Sequence, residues 1–299
     1  MGQDLVENFA QARLLYEEAD AILGFPLSRL CFEGPKETLN DTINTQPAIF
    51  ATSLAVMRVL ESEGWLQPPV MAAPDMVAGH SLGELTALVA AGVMDFGAGL
   101  RLVRERGRLM KLAGERNPGG MAAVLKMGDA EVEDACKEAA SETGRPVQIA
   151  NYNSPGQVVI SGDAQALARA IELLRERGGR RIIPLAVSIA AHSPLMASVV
   201  EEYRAAVDGT AMREPDLQVV ANISARPLLG VDEVRDELAG QLTWPVRWTA
   251  SMQWMVEQGV TRFVEIGPGE VLSRLMRRIA PGASAVSVGD VASVEALTP

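Results

Sequence analysis

A chain of 299 residues with 27 Lys and Arg against 38 Asp and Glu, for a net charge of −11, lacks the basic footprint of a general nucleic-acid binder. Hydrophobic residues make up 48% and charged residues 22%, a globular balance with length enough for one large domain or two modest ones. The longest notable apolar run, 182–191, contains Pro184 and is too short to span a bilayer, so no membrane association is expected.

Apolar spacing at Leu5, Phe9, Leu14 and Leu15 predicts an opening helix, and a second is expected over 47–63, stopping at Gly64. A short strand, 76–79, leads straight into a helix over 82–91. Another helix, 97–115, ends at the breaker Asn117-Pro118-Gly119-Gly120. From Met121 the rhythm changes to strand 121–127, helix 129–141, strands 147–152 and 157–161, helix 163–177 and strand 180–187. That β-α-β-β-α-β order is the ferredoxin-like pattern, expected as a small subdomain inserted over 119–187. Helix 194–207, strand 217–223, helices 231–241 and 248–258, strand 261–266, helix 269–279 and strand 284–288 then follow. Their alternation predicts an α/β large domain, 1–118 with 188–299, around a mostly parallel sheet. Cys31 and Cys136 lie far apart and outside any metal-ligand spacing, and the N-terminus, with Asp4 and Glu7, has no signal pattern. A cytoplasmic protein without metal or disulfide framework is expected.

Gly79-His80-Ser81-Leu82-Gly83 fits G-x-S-x-G at a strand-to-helix junction, where a sharp turn lifts a serine hydroxyl out of a sheet. Glycines at both flanks remove side chains that would clash, and the Leu82 N–H at the helix start is placed to meet a developing oxyanion. The plainer reading is a capping box, because Ser81-Leu82-Gly83-Glu84 is also S-x-x-E. A cap needs no flanking glycines, so a nucleophilic Ser81 is the stronger reading.

A serine nucleophile needs a base, and the chain has two histidines. His80 adjoins Ser81, but neighbouring side chains at such a turn diverge. His192 follows the run 182–191 and precedes Ser193-Pro194, a natural helix start. A helix N-terminus disfavours imidazolium and favours a proton-accepting ring, so His192 is the candidate base. No acid at a suitable spacing completes a triad; a carbonyl or amide is the alternative.

In helix 97–115, Arg101, Arg104, Arg108 and Lys111 share one stripe, whereas Arg106 projects about 180° away among Leu102, Val103, Leu109 and Met110. A guanidinium on an apolar face must be paired. Its partner is either a protein carboxylate or a substrate carboxylate held bidentately. The second possibility implies an acyl group carrying its own acid.

Further segments extend the pattern: Thr45-Gln46-Pro47-Ala48, Arg104-Glu105-Arg106-Gly107, Asn151-Tyr152-Asn153-Ser154-Pro155-Gly156-Gln157, Ser188 to His192, Gln241-Leu242-Thr243-Trp244-Pro245-Val246 and Glu265-Ile266-Gly267-Pro268-Gly269. With Gly79 to Glu84, and in this order, they resemble the malonyl-CoA:acyl carrier protein transacylase family, related to acyltransferase domains of polyketide and fatty acid synthases. The resemblance runs from near Met1 to about Val288. It implies an α/β-hydrolase-like large domain with the ferredoxin-like insert, Ser81 as the acylated nucleophile and His192 as its base. It also implies that Arg106 holds the malonyl carboxylate, that Leu82 gives one oxyanion N–H, and that Gln241 orients His192 through its backbone carbonyl.

Two positions depart from the family's pattern. Relatives usually open with a strand and a loop like P-G-Q-G-x-Q, whose glutamine N–H completes the oxyanion hole. This chain begins after that point, and Gln3 stands in a different context, so a truncated or misplaced start without the first strand is expected. Ala191 stands where malonyl-selective relatives often carry Phe and methylmalonyl-selective ones Ser, which leaves the extender unit open.

The implied chemistry is ping-pong transfer of malonyl from malonyl-CoA to the phosphopantetheine thiol of acyl carrier protein, with coenzyme A thioester as substrate and no cofactor. Carrier proteins are usually acidic, so a local basic surface is expected, with Arg180, Arg181, Arg274, Arg277 and Arg278 as candidates. The competing readings are a serine esterase or thioesterase, with water as acceptor, and a non-catalytic carrier-binding scaffold.

Overall fold

The expected opening helix divides in two in the computed structural model, which describes residues 1–65, 75–187 and 189–297. Phe9 is extended and separates helices Gln3–Asn8 and Ala10–Leu23. Gly24, at φ 70°, ends the second by donating its N–H to the Asp20 carbonyl. Two short helices, Leu27–Glu33 and Lys36–Asn40, follow; both are too short to leave a readable period.

The helix expected from Pro47 begins earlier and runs from Thr42 to Ser62. Asp41 caps it by accepting the Ile43 N–H at 3.2 Å. Pro47 therefore lies in the second turn, where it has no N–H for the Ile43 carbonyl. Arg104 Nη1 takes that carbonyl instead, at 2.5 Å. This contact ties the helix to Phe96–Arg116, which starts on an Asp95 cap. The two helices pack so closely that a Cβ on Gly107 would lie 2.9 Å from the Ile43 Cα. Phe50 stacks on Phe96 at 5.9 Å between ring centroids within the largest apolar core.

Strand Met76–Ala78 pairs in parallel with Gln218–Val220, which pairs antiparallel with Pro227–Leu228. Arg262–Ile266 pairs in parallel with Ser284–Val288. The expected parallel pairing is present, but in two separate short pieces. One reason is local: the strand expected to reach 223 stops at Val220 because the Asn222 N–H goes to the Glu84 side chain instead of a neighbouring strand.

The middle of the chain forms a four-stranded antiparallel sheet from Gly119–Leu125, Val147–Ser154, Gln157–Asp163 and Arg181–Pro184. Its spatial order is 147–154, 157–163, 119–125, 181–184. Helices Asp129–Thr143 and Ala164–Glu176 share a separate apolar core with these strands. The last strand ends at Pro184, short of the expected 187. Ser188, the first residue of the segment leading to His192, lies outside the described residues. The sheet is joined to the rest by Tyr152 and Val246: the Tyr152 N–H donates to the Val246 carbonyl at 2.9 Å, and the Val246 N–H to Ala150 at 2.8 Å.

The helix expected over 194–207 opens as a 3₁₀ segment, Pro194–Val199, before Val200–Asp208 becomes α-helical. Helices Val231–Gln241, Trp248–Glu257 and Val271–Ile279 follow close to their expected bounds, and a short helix, Val291–Glu295, was not expected. Cys31 and Cys136 are free and buried. Among the described residues no helix is long and apolar enough to cross a membrane.

Candidate active site

Strand Met76–Ala78 runs into Gly79 and His80, and the chain then turns sharply at Ser81, with φ 53° and ψ −108°. This left-handed conformation is strained for a residue with a Cβ, at about 1–3 kcal/mol. It persists because the Ser81 N–H is fixed by Asn222 Oδ1 at 2.7 Å. Gly79 is required by close approach, since a Cβ there would fall 1.8 Å from the Gly83 carbonyl oxygen. The expectation of a clash at both flanks is corrected at Gly83, where a Cβ would meet open space.

The capping-box reading also fails. The Ser81 side chain accepts no bond from helix Leu82–Ala90. Glu84 accepts instead from Asn222 and Gln241. The Ser81 hydroxyl is thus free to face His192, with Oγ and Nε2 at 2.8 Å. Leu82 begins the helix, and its N–H has no acceptor among the described residues.

His192 is buried, at φ 55°, in the turn before Ser193, which caps the 3₁₀ segment. Its Nδ1 faces the carbonyl oxygens of Gln241 at 2.7 Å and Trp244 at 3.2 Å. Carbonyls only accept, so Nδ1 carries the proton and Nε2 presents its lone pair to Ser81. Gln148 secures the same turn by donating to the His192 carbonyl at 2.8 Å and to Thr243 at 3.1 Å. His80 points elsewhere, to Asn153 Oδ1 at 2.8 Å and the Trp248 ring.

Burial first, then the charge of Arg106, push the His192 pKa down to about 3, against the opposing pull of the Gln241 and Trp244 carbonyls. These causes replace the helix N-terminus as the reason for a neutral ring. Two consequences follow for pH. The kcat/KM for acylation should show no histidine titration between about pH 8 and about pH 5; a limb near 6.5 in a pH–rate profile would contradict the assigned environment. The folded value lies below the ordinary 6.5, so between 6.5 and about 3 unfolding takes up a proton. Stability contributed by this group is complete above 6.5 and falls by about 1.4 kcal/mol per unit as pH drops through the window.

Arg106 has only 1% of its surface exposed. Nη1 donates to Gln46 Oε1 at 2.7 Å, and Nη2 to Gln241 Oε1 at 2.6 Å and Ser81 Oγ at 3.1 Å. Nε has no partner, and no carboxylate forms a salt bridge with this guanidinium among the described residues. The structural alternative of an internal acid is therefore not met. Burial lowers the pKa of the group, with Tyr203 and Glu84 acting in the opposite sense. This is a buried cation held only by neutral oxygens, beside the Ser81 hydroxyl and with its Nε unpaired.

The profile of the acyl transferase domain family matches residues 1–296. The chain belongs to this family. Among relatives of this acyltransferase, the malonyl CoA-acyl carrier protein transacylase of Bacillus subtilis is 40% identical over 295 residues, covering 99% of this chain and 90% of that one. Its namesake in Escherichia coli is 39% identical, covering 98% and 92%. The fold superposes on an acyl carrier protein S-malonyltransferase from Vibrio cholerae with a TM-score of 0.93 at 39% identity, covering 100% of this chain and 95% of the other. A structure of a type II PKS acyl-carrier protein in complex with its malonyl-transacylase gives 0.94 at 39% identity, covering 100% and 94%.

The structure brings together Ser81, Arg106, His192 and Gln241, with Leu82 next to Ser81, the residues singled out from sequence. Gln3, whose role was left unassigned, is exposed and donates to Glu7. Gln46, Glu84, Gln148 and Asn222 are participants that sequence reading missed. Gln46 lies in Thr45-Gln46-Pro47-Ala48, where nothing in the sequence gives it a role, and Asn222 carries no signal. Among the described residues no group of three or more His, Cys, Asp or Glu is arranged to hold a metal ion.

Proposed function

We propose that this chain transfers a malonyl group from malonyl-CoA to the phosphopantetheine thiol of acyl carrier protein through an ester on Ser81. His192 Nε2 takes the hydroxyl proton as Oγ attacks the thioester carbonyl, and the imidazolium is held by the Gln241 and Trp244 carbonyls. The Leu82 N–H donates to the tetrahedral oxyanion. Coenzyme A leaves with the proton from His192, the carrier thiol enters, and the same base serves the return step. Arg106 binds the malonyl carboxylate with the N–H groups its amide partners leave unspent.

The observation that carries the reading is Arg106: buried, without an acid, and 3.1 Å from the Ser81 hydroxyl. An esterase for neutral substrates has no use for it. Intact-protein mass spectrometry after incubation with malonyl-CoA should show one malonyl adduct on Ser81, cleared by holo acyl carrier protein. No adduct would leave the scaffold reading, and clearance by water at the same rate without carrier would leave the esterase.

In the same reading, 1–118 with 188–299 is an α/β-hydrolase-like domain and 119–187 a ferredoxin-like insert, and the protein acts in the cytoplasm. The carrier docks on basic residues. Arg278 donates to Gln157 at 2.8 Å, and Gln157 lies in register with Leu125, itself opposite Arg181. Arg181 and Arg278 therefore flank one end of the antiparallel sheet, with exposed Arg180 and Arg277 beside them in sequence. Arg274 is engaged by Glu270. Replacing Arg181, Arg277 and Arg278 by alanine should weaken transfer to carrier about tenfold while leaving acylation by malonyl-CoA unchanged; equal effects in half-reaction kinetics would argue against this surface.

A further inference from the structure

Glu84 is fully buried, beneath rather than beside the reacting atoms. Its two oxygens meet N–H groups, which can only donate, and the Glu237 carboxyl lies against it as well. The Asn222 main-chain N–H reaches Oε1 at 2.8 Å, and Asn222 Nδ2 reaches the same oxygen at 2.9 Å. Oε2 is met by Gln241 Nε2. That nitrogen cannot be exchanged for the amide oxygen, because Gln241 Oε1 faces Arg106 Nη2 at 2.6 Å and arginine has nothing to accept with.

We propose that Glu84 is a positioning residue that sets the polarity of the amide chain around Ser81. By accepting at both oxygens it holds Gln241 with its carbonyl on Arg106 and its NH₂ on the Ser81 carbonyl, at 3.0 Å. It likewise holds Asn222 with its NH₂ on the Gly79 carbonyl, at 2.8 Å, and its oxygen on the Ser81 N–H. One acceptor-only group thereby orders two amides whose ends are otherwise nearly the same shape. Those amides fix the strained turn and the guanidinium that faces the substrate.

The charged and titratable groups around Glu84 are Glu237, Arg106 and Tyr203. Burial first, then Glu237, raise the Glu84 carboxyl, and burial raises Glu237. Neighbouring buried carboxyls share a proton, and the N–H groups on both Glu84 oxygens turn that proton toward Glu237.

This inference rests on the reading of Arg106 as the malonyl receptor. Its test is Glu84→Gln, which keeps size and shape but puts an NH₂ against a donor whichever way it turns. The ratio of malonyl-CoA to acetyl-CoA loading on Ser81 should fall about 10- to 100-fold, as expected for a buried donor pair left opposed beside a charged group. A space-filling role would lower both loadings in proportion, so an unchanged ratio overturns the proposal. If E84Q does not fold, the double variant E84Q/Q241E decides. There the new amide donates to a new carboxylate, which accepts from Arg106, so the contacts between positions 84, 241 and 106 are rebuilt and the Ser81 carbonyl alone loses its donor. Recovery of a cooperative thermal transition, with malonyl loading still low because an acid now neutralises Arg106, supports the proposal; a double variant as unfolded as the single one overturns it. Wild-type protein that takes no malonyl from malonyl-CoA would instead defeat the functional reading itself.

Discussion

Ser81→Ala should abolish the malonyl adduct and slow malonyl transfer by about 10⁴-fold or more, the scale on which a nucleophile acting with its base is lost. The hydroxyl is the shared atom of the site. It faces His192 Nε2 at 2.8 Å and accepts from Arg106 Nη2 at 3.1 Å. Because Arg106 donates to it, its own hydrogen is directed at the imidazole, the geometry from which proton transfer starts. The substitution removes one oxygen and leaves Gly79, Asn222 and the turn in place, so the melting temperature should move little. Adduct mass and transfer rate, measured beside thermal unfolding, separate chemistry from folding. An ester that still forms in S81A would move the nucleophile to another residue.

Arg106→Ala should lower kcat/KM for malonyl-CoA by about 10²- to 10⁴-fold, since taking one partner from a buried charge pair costs about 3–5 kcal/mol. Acetyl-CoA has no carboxylate to lose and should be affected far less, so the preference between the two thioesters narrows or inverts. Arg106→Lys should rescue poorly. The contacts to Gln46, Gln241 and Ser81 come from two separate nitrogens of a planar fork, and a single ammonium cannot span them. Steady-state kinetics with both thioesters provide the check; a malonyl preference equal to wild type in R106A would remove the receptor from the mechanism.

Much of the site is legible in the sequence, for reasons that differ by residue. Ser81 is marked by its glycines, of which only Gly79 is demanded by contact with Gly83. Arg106 is marked by periodicity: a cation among Leu102, Val103, Leu109 and Met110 breaks a pattern that burial alone would fill with apolar residues. His192 follows from scarcity, as one of two histidines, and from the Ser193-Pro194 helix start. The antiparallel unit is legible because the period changes at one glycine pair and returns after the last strand. Glu84 was missed because S-x-x-E suggests only a local cap, and a residue's tertiary partner can override that meaning without any trace in the neighbouring sequence.

By itself the sequence determined the chemical inventory: a hydroxyl at a sharp corner, an imidazole at a helix start, a guanidinium on an inward face, and the order of strands and helices that carries them. These are properties of side chains and of short-range period, and they are written position by position. Only the tertiary structure decided how the inventory is oriented. The acceptors for His192 are main-chain carbonyls, which every residue possesses and none advertises. The partners that fix Ser81, His192 and Gln241 lie 141, 49 and 157 positions away along the chain. Packing of the helices and short sheets chooses those encounters, and only then does the direction of each amide, and with it the proton path, become defined.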